Sequence, residues 1–310
     1  DDGDDWNGHD CFSPSRFDFR SGIIDRDGLL EQGVARGAMF PLVPRRRDDS
    51  LYHGRRNTDN GDGSAIMMRL TDKAVLITGG GSGIGLATAR MLLDQGARVA
   101  ITGRNRAKLE SAAAELRSPE TLFTHAADLA DPAQVQDLVT AVNGWMGPID
   151  ILVANAGVNI KQRQFRDLTN ESWRQLLDGN LEAAFQITSA VLPQMRERGQ
   201  GLIVYINSIS GKRANPLGGV GYIAAKFALR GMASGLGAEE REAGIRVTSI
   251  FPGEVNTPLL DQRPEAVSAD RRATMLQPED VASAVLFIAG LPGHVSIPEM
   301  VITPANAQYI

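Results

Sequence analysis

Short runs of apolar residues alternate with amphipathic segments from Leu70 to the end of the chain. The segments Leu86–Gln95 and Arg106–Leu116 repeat their apolar residues at helical spacing, and Pro278 suits the first turn of a later helix. Strands alternating with helices of this length predict an α/β fold, a doubly wound, mainly seven-stranded parallel sheet with helices on both faces. Thr121–His125 is the weakest strand candidate, and the other six are Ala74–Thr78, Arg98–Thr102, Ile149–Ala154, Leu202–Asn207, Arg246–Phe251 and Met300–Thr303.

Residues 1–66 lack this alternation. They contain 13 acidic residues and 9 arginines but no lysine, and the apolar cluster Ala38–Val43 is interrupted by proline. Dense charge with few apolar residues is typical of disordered chains, so we expect a largely disordered, non-essential extension. An alternative is a regulatory or targeting arm built on Arg45–Arg47. The sequence therefore predicts one folded domain over residues 68–310.

Composition excludes several classes of function. The net charge of −5 argues against a nucleic-acid partner, which normally meets a basic face. No run approaches the roughly 20 apolar residues of a membrane helix, and the N-terminus lacks the apolar core of a secretory signal. Cys11 is the only cysteine, so an intrachain disulfide is impossible, and the four histidines show no metal-ligand spacing. We expect a cytoplasmic protein without a metal site or a membrane partner.

A glycine-rich turn, Gly79–Gly85, joins the first predicted strand to the first predicted helix. Glycines allow a sharp turn and a close approach to a pyrophosphate, and the free N–H groups of a helix N-terminus attract the anion. The position of the turn in the first strand–helix–strand unit favours dinucleotide binding over a tight turn without a ligand.

Tyr222 and Lys226 lie four residues apart at the start of a predicted helix, so their side chains share one face. A phenol with a pKa near roughly 10 is a poor base at neutral pH, and a neighbouring ammonium lowers that pKa. The pair comes just after a predicted strand end, where doubly wound sheets bind their ligands. None of the other tyrosines, Tyr52, Tyr205 and Tyr309, is followed by a lysine at this spacing.

These motifs resemble the short-chain dehydrogenase/reductase family. The resemblance rests on the glycine spacing Thr78-Gly79-x3-Gly83-x-Gly85 and on the Tyr222-x3-Lys226 pair, and it extends over roughly 240 residues. It implies a Rossmann-like fold and hydride transfer between a nicotinamide cofactor and a carbonyl or alcohol. The glycine spacing disfavours sugar-nucleotide epimerases and dehydratases. Further matches, in chain order, are Asp128-Leu129, Asn155-Ala156-Gly157, Trp173, Asn180-Leu181 and Pro252-Gly253-x3-Thr257.

The resemblance implies a role for each residue that matches the family's catalytic set. Tyr222 would act as the general acid/base, Lys226 would lower its pKa and hold the nicotinamide ribose, and Ser208 would orient the carbonyl oxygen. Asn180 would hold a water that relays protons from Lys226 to solvent. Ser210 is an alternative to Ser208, since neither serine has the family's usual distance from the tyrosine, but a serine-x-x-glycine pattern favours Ser208.

The end of the second strand selects between NAD and NADP. Gly103 stands where an NAD enzyme of the family carries aspartate, and Arg104 follows it. Because a guanidinium suits the 2′-phosphate, we predict NADP(H) in preference to NAD(H), the alternative being a solvated loop arginine. The resemblance places the cofactor also against Gly79, Ser82, Gly83, Ile84, Gly85, Asp128, Leu129, Asn155, Ala156, Gly157, Tyr222, Lys226, Pro252, Gly253, Val255 and Thr257.

Several neighbours of these motifs are expected to be structural. Trp173 and Tyr205 are predicted to pack in the interior. The basic residues Lys161, Arg163 and Arg166 are predicted to form a solvated stretch, from which one could meet an acidic substrate.

The substrate is not determined by the sequence, because in this family it depends on the segment after Pro252-Gly253, here Glu254–Leu276. The ending Ile297–Pro304 resembles the branch of NADP-dependent 3-hydroxy-acid dehydrogenases and broad carbonyl reductases more than a ketoacyl reductase. We expect a small hydroxy acid or a broad range of carbonyl compounds, with a ketoacyl-type reductase as an alternative.

The family implies a homodimer or homotetramer through the Tyr222 helix. Its small residues permit close packing: Ala224, Ala225, Ala228 and Gly231. A catalytically silent NADP-binding sensor or scaffold is an alternative function, which the presence of all four catalytic residues disfavours.

Overall fold

The computed structural model describes residues 70–307, so the expectations for residues 1–66 lie outside the described part. The described chain forms one seven-stranded, all-parallel sheet with the strand order β3-β2-β1-β4-β5-β6-β7. The α/β, doubly wound fold is confirmed, and every predicted strand is present with ends displaced by at most two residues. The strands are β1 Ala74–Thr78, β2 Arg98–Gly103, β3 Leu122–Ala126, β4 Ile151–Ala154, β5 Gly201–Ile206, β6 Ile245–Pro252 and β7 Glu299–Ile302.

The helices connect successive strands and cover both faces of the sheet. A π-helical turn, Asp178–Glu182, joins the fourth and fifth helices, and short 3-10 turns occupy Phe165–Asp167, Ile209–Gly211 and Pro258–Gln262. The predicted proline does open the last helix. The helices are α1 Gly83–Asp94, α2 Arg106–Leu116, α3 Pro132–Met146, α4 Asn170–Leu177, α5 Ala183–Arg198, α6 Val220–Glu239, α7 Ala269–Ala273 and α8 Pro278–Ala289.

The core consists of two apolar layers, one on each side of the sheet. In β1, Leu76 belongs to the layer with α3, α5 and α6, whereas Val75 and Ile77 belong to the layer with α1, α2 and α8. Successive strand residues point to opposite faces, so a strand that is covered on both sides needs a continuous apolar run. This explains why the central strands are runs of Val, Ile, Leu and Ala without polar alternation.

The strand order also positions a binding crevice. The chain leaves β1 toward β2 on one side, and the later strands extend from β4 on the other, so the order reverses between β1 and β4. The loops that follow these two strands therefore diverge and leave a crevice at their carboxyl ends, where doubly wound sheets bind ligands.

Tyr205 is packed in the sheet, as predicted. It is fully buried, and its hydroxyl forms a 2.8 Å hydrogen bond with the Thr188 hydroxyl. Trp173 is half-buried and packs against Gly221 in α6.

Within residues 70–307, no helix is long and apolar enough to cross a membrane, and no cluster of His, Cys, Asp or Glu side chains could hold a metal ion.

Candidate active site

A cavity of about 940 Å³ lies at the carboxyl ends of β1, β4, β5 and β6. Ser208, Tyr222 and Lys226 line it together with the glycine-rich turn and the segment after β6. Residues separated by almost 150 positions in the sequence thus meet in one cleft. The residues predicted to contact the cofactor that line this cavity are Gly79, Ser82, Gly83, Ile84, Asn155, Ala156, Gly157, Tyr222, Lys226, Pro252, Gly253, Val255 and Thr257.

A second cavity of about 420 Å³ is lined by three further predicted cofactor residues, Arg104, Asp128 and Leu129. Arg104 is exposed at its wall, beside Asp128 and Leu129. Gly79, Ala156 and Gly157 line both cavities. The glycine-rich turn therefore adjoins the cavity that contains Arg104 as well as the cavity that contains Tyr222. Gly85 lines neither, because it lies beneath the turn rather than at its surface.

The glycine-rich turn has a backbone that other residues would not adopt. Gly79 and Gly83 have φ angles of +65° and +54°, in the left-handed region. A Cβ on Gly85 would stand 2.4 Å from the carbonyl oxygen of Gly79, which is far inside van der Waals contact. Glycine at these positions therefore allows α1 to begin directly beneath the turn with its N-terminal N–H groups facing the cavity.

The turn is fastened to the segment after β4 by hydrogen bonds. The backbone N–H groups of Asn155 and Ala156 donate to the Thr78 hydroxyl at 3.0 and 2.9 Å. In return, the Asn155 side-chain amide donates to the carbonyl oxygens of Thr78 and Gly79 at 2.9 and 3.2 Å. These contacts explain why a threonine precedes the glycines and why an asparagine follows β4.

Tyr222 occupies the first turn of α6 and is half-buried at the cavity wall. Burial raises the pKa of its phenol, whereas a hydrogen bond from Ser208 and the positive charge of Arg163 lower it, and the net direction is upward. The Ser208 hydroxyl also accepts the N–H of Ser210 at 3.1 Å. The alternative serine, Ser210, has its hydroxyl engaged by the Asn215 amide at 3.2 Å.

Lys226 lies one turn further along α6 and is only 3% exposed. Its Nζ donates to the Ile206 carbonyl at 3.1 Å and lies 5.7 Å from the centroid of the Tyr222 ring. Burial lowers the pKa of this ammonium from 10.5 to about 8. Sequence reasoning did not assign a role to Asn207, whose amide donates to the Lys226 carbonyl at 3.2 Å and whose Oδ1 accepts the Ser208 N–H at 2.9 Å.

Asn180 lies behind the cavity, not on its lining. It is 1% exposed, in the π-helical turn, and its amide nitrogen donates to the carbonyls of Val158 and Leu176 at 2.9 and 2.8 Å. Its Oδ1 accepts the Val158 N–H at 3.2 Å and is 3.0 Å from where a Cβ on Gly157 would stand. The side chain thus fixes the segment between β4 and α4 close to Lys226.

The prediction of a solvated stretch after β4 is wrong for Arg163. Lys161 and Arg166 are exposed, but Arg163 is only 5% exposed. Its guanidinium donates to the carbonyls of Ile160 at 2.7 Å and Leu217 at 2.8 Å, and also to the carbonyl of Gln262. Carbonyl oxygens supplied by remote loops make burial of this charge possible, and a local sequence pattern does not reveal them.

The segment after β6 carries a second group of charges on the cavity wall. The Glu254 carboxylate accepts from Arg263 at 2.7 Å and from Arg271 at 2.5 Å, so one acid holds two arginines. These hydrogen bonds lower the pKa of Glu254 although burial opposes the shift. Of the apolar candidates in this segment, Leu260 is buried whereas Leu259 is exposed.

Comparison with known proteins agrees with this geometry. The sequence profile of the family described as short chain dehydrogenase matches residues 73–268. The chain belongs to the short-chain dehydrogenase/reductase family. An uncharacterized oxidoreductase from Staphylococcus aureus is 33% identical over 241 residues, which are 77% of this chain and all of that protein.

Two solved structures of the family resemble the fold closely. The closed form of serine dehydrogenase complexed with NADP+ is 31% identical, has a TM-score of 0.70, and is matched over 76% of this chain and 96% of its own. The 3-ketoacyl-(acyl-carrier-protein) reductase of Brucella melitensis, complexed with NADH, is 28% identical with a TM-score of 0.70, over 76% of this chain and 98% of its own.

The predicted family, fold and enzyme class are therefore confirmed. As a short-chain dehydrogenase/reductase, the chain is an NAD(P)-dependent oxidoreductase that acts on CH–OH groups, and its fold binds a nicotinamide cofactor.

Proposed function

We propose that this enzyme interconverts a carbonyl compound and a secondary alcohol with NADP(H), using Tyr222 as the general acid/base. The observation that carries the proposal is the convergence of Ser208, Tyr222 and Lys226 on one wall of a cavity whose other wall is the glycine-rich turn. The cofactor, when bound, supplies or accepts the hydride. The side chains supply the proton and the hydrogen bonds.

In the reducing direction, the Tyr222 hydroxyl donates its proton to the substrate oxygen as negative charge develops there. The Ser208 hydroxyl donates a hydrogen bond to the same oxygen and holds it in place. Lys226 lies against the Tyr222 ring and lines the cavity, where it would hold the nicotinamide ribose, and its pKa of about 8 lets it exchange protons near neutral pH. Three hydrogen bonds already engage the Asn180 side-chain amide. We therefore assign Asn180 an indirect role, in which it fixes the segment after β4 that would hold the relay water.

The cavity walls fit the parts of a dinucleotide. Gly79, Ser82, Gly83 and Ile84 line the cavity where α1 begins, so the N–H groups of that helix N-terminus would hold a pyrophosphate. Asp128 and Leu129 would hold the adenine, and Tyr222 and Lys226 would contact the nicotinamide end of the cofactor. The exposed Arg104 at the second cavity supports a preference for NADP(H), because its guanidinium suits the 2′-phosphate.

The substrate class is proposed more broadly. The likeness to serine dehydrogenase supports a small hydroxy acid or a related carbonyl compound, and the likeness to a 3-ketoacyl-(acyl-carrier-protein) reductase keeps a ketoacyl substrate as the second candidate.

Assembly as a dimer or tetramer is proposed from Phe185 and Phe227, which are 48% and 42% exposed on α5 and α6. Large exposed aromatic side chains on adjacent helices are typical of a subunit interface.

The catalytic proposal is tested by absorbance at 340 nm with a panel of carbonyl compounds and NADPH, and of alcohols and NADP+. Tyr222→Phe should lower kcat/KM at least about 100-fold, the usual contribution of a general acid or base. Tyr205→Phe is the matched control, since that hydroxyl contacts only Thr188 within the core, and it should retain activity within a few fold. Tight NADPH binding with no turnover of any compound would instead support a sensor or scaffold.

The cofactor preference has its own test. Wild-type enzyme should show a higher kcat/KM with NADPH than with NADH, and Arg104→Gln should raise KM for NADPH at least about tenfold. Gly103→Asp should improve use of NADH, because the nearest atom to a Cβ at this position is Leu109 Cδ2 at 3.9 Å. Arg117→Gln, at the far end of α2, is the control. A wild-type preference for NADH would show that the assignment to NADP is wrong.

A further inference from the structure

Arg163 is a buried cation that takes no direct part in the proposed proton transfer. It follows β4 by nine residues, and its stem packs on Gly219, the residue that precedes α6. A Cβ on Gly219 would stand 2.6 Å from the Arg163 Cβ, and Gly219 has a φ of +76°, so glycine is needed there to admit the arginine. The first turn of α6, which carries Tyr222, therefore rests against Arg163.

The guanidinium joins three separate segments. Its Nε donates to the Ile160 carbonyl in its own loop, one terminal nitrogen donates to the Leu217 carbonyl just before α6, and the other donates to the Gln262 carbonyl after β6. Arg163 thus holds the start of the tyrosine helix and the segment that surrounds the substrate at fixed positions relative to β4.

No carboxylate within residues 70–307 neutralises this charge. Two charged groups act on the Arg163 guanidinium. The positive charge of Arg263 lowers the pKa of Arg163, and the negative charge of an ionised Tyr222 raises it. Glu254, the acidic residue of this wall, forms ion pairs with Arg263 and Arg271 instead. The remaining cations of the cavity lining are Lys226 on α6 and Arg213 after β5. A buried charge without a counter-ion is costly, and a phenolate at Tyr222 would relieve that cost.

Two buried cations lie at opposite ends of the first turn of α6. Lys226 directs its Nζ to the Ile206 carbonyl and lies beneath the tyrosine ring, 5.7 Å from the ring centroid. Arg163 packs against Gly219 before the helix, and its positive charge favours the ionised form of Tyr222, as does the hydrogen bond from Ser208.

We propose that Arg163 is a positioning residue for Tyr222. Its buried guanidinium joins three loops of the cavity wall and places a fixed positive charge at the start of the tyrosine helix. The inference rests on the proposed role of Tyr222 as the acid/base. It extends that role to a second buried cation besides Lys226.

The experiment follows the ionisation of residue 222 directly. 3-Fluorotyrosine, a more acidic phenol, is placed at position 222 of the full chain, and its 19F chemical shift is recorded against pH without cofactor or substrate. Arg163→Gln should raise the midpoint by roughly one pH unit, as expected when a nearby opposite charge is lost. Arg163→Lys keeps the charge but not the three hydrogen bonds, and it should restore most of the shift.

A further variant makes the result specific. Arg166→Gln removes an exposed arginine that pairs with Asp167, and it should leave the midpoint unchanged. An unchanged midpoint in Arg163→Gln, or equal shifts in Arg163→Lys and Arg163→Gln, would refute the charge assignment. If Arg163→Gln does not fold, a one-unit rise in Arg163→Lys would refute it equally, because that variant keeps the charge.

Turnover supplies a second readout. In alcohol oxidation, Arg163→Gln should move the rising limb of the kcat profile to higher pH and raise KM, because the segment at Gln262 is released, while the Kd for NADPH stays unchanged. Since the 19F titration needs no substrate, an absence of turnover would count against the proposed function and leave the test of Arg163 intact.

Discussion

Replacing Lys226 by methionine should stabilise the cofactor-free protein while abolishing its activity. The side chain is 3% exposed, its one hydrogen bond goes to the Ile206 carbonyl at 3.1 Å, and burial lowers the pKa of the ammonium from 10.5 to about 8. At pH 7 the lysine is therefore held protonated in a place that disfavours its charge, and methionine fills a similar volume without any charge.

The size of the effect follows from the pKa. Because the folded-state pKa lies below the unfolded-state value, the unfolded chain binds more protons between pH 8 and 10.5. The penalty on folding is fully present below about pH 8 and disappears as the pH rises to 10.5, and it amounts to roughly 3 kcal/mol. Loss of the hydrogen bond to Ile206 offsets about 1 kcal/mol, which leaves a net stabilisation of about 2 kcal/mol at pH 7.

The measurement is urea-induced unfolding of wild type and Lys226→Met at one protein concentration, followed by circular dichroism at pH 7, 8, 9 and 10. The difference between the two free energies of unfolding should shrink as the pH rises. Lys108→Met, at an exposed position in α2, is the control and should change the free energy by less than about 0.5 kcal/mol. A Lys226→Met protein that is less stable at pH 7, or a difference that does not depend on pH, would refute the reasoning.

Three other outcomes follow from the geometry. Thr78→Val leaves the Ala156 N–H without its acceptor, whereas the Asn155 N–H keeps the Val153 carbonyl, so urea unfolding should show a loss of about 1–3 kcal/mol, and an unchanged midpoint would contradict this. Gly85→Ala should lower the melting temperature and weaken NADPH binding, because its Cβ would stand 2.4 Å from the Gly79 carbonyl oxygen. Gly144→Ala, in open space on α3, should instead add about 0.5–1 kcal/mol, and equal effects of the two substitutions would be inconsistent with the packing. Phe227→Arg, on the exposed side of α6, should dissociate the proposed oligomer in light scattering, and an unaltered mass would place the interface elsewhere.

The sequence alone was sufficient for the elements and for their general chemistry. Apolar runs such as Ala74–Thr78 and amphipathic segments such as Arg106–Leu116 are local patterns, and a strand or helix needs little beyond its own periodicity to be recognised. The glycine-rich turn and the spacing of Tyr222 and Lys226 are local too, since each lies within one turn or one helix.

The weakest strand shows where local pattern gives way to context. Leu122–Ala126 has only one buried residue, and it is a strand because it pairs along its whole length with β2. The order of the strands, and with it the crevice between β1 and β4, likewise depends on pairing between distant segments.

The tertiary structure alone decided the status of the ionisable groups. Arg163 has the composition of a solvated loop residue, yet the carbonyls that bury it lie 54 and 99 residues further along the chain. Which serine faces Tyr222, how deeply Lys226 lies, and which cation acts on the phenol are set in the same way by loops that meet only when the sheet assembles. Burial and charge are properties of that assembled neighbourhood, and no periodicity along the sequence encodes them.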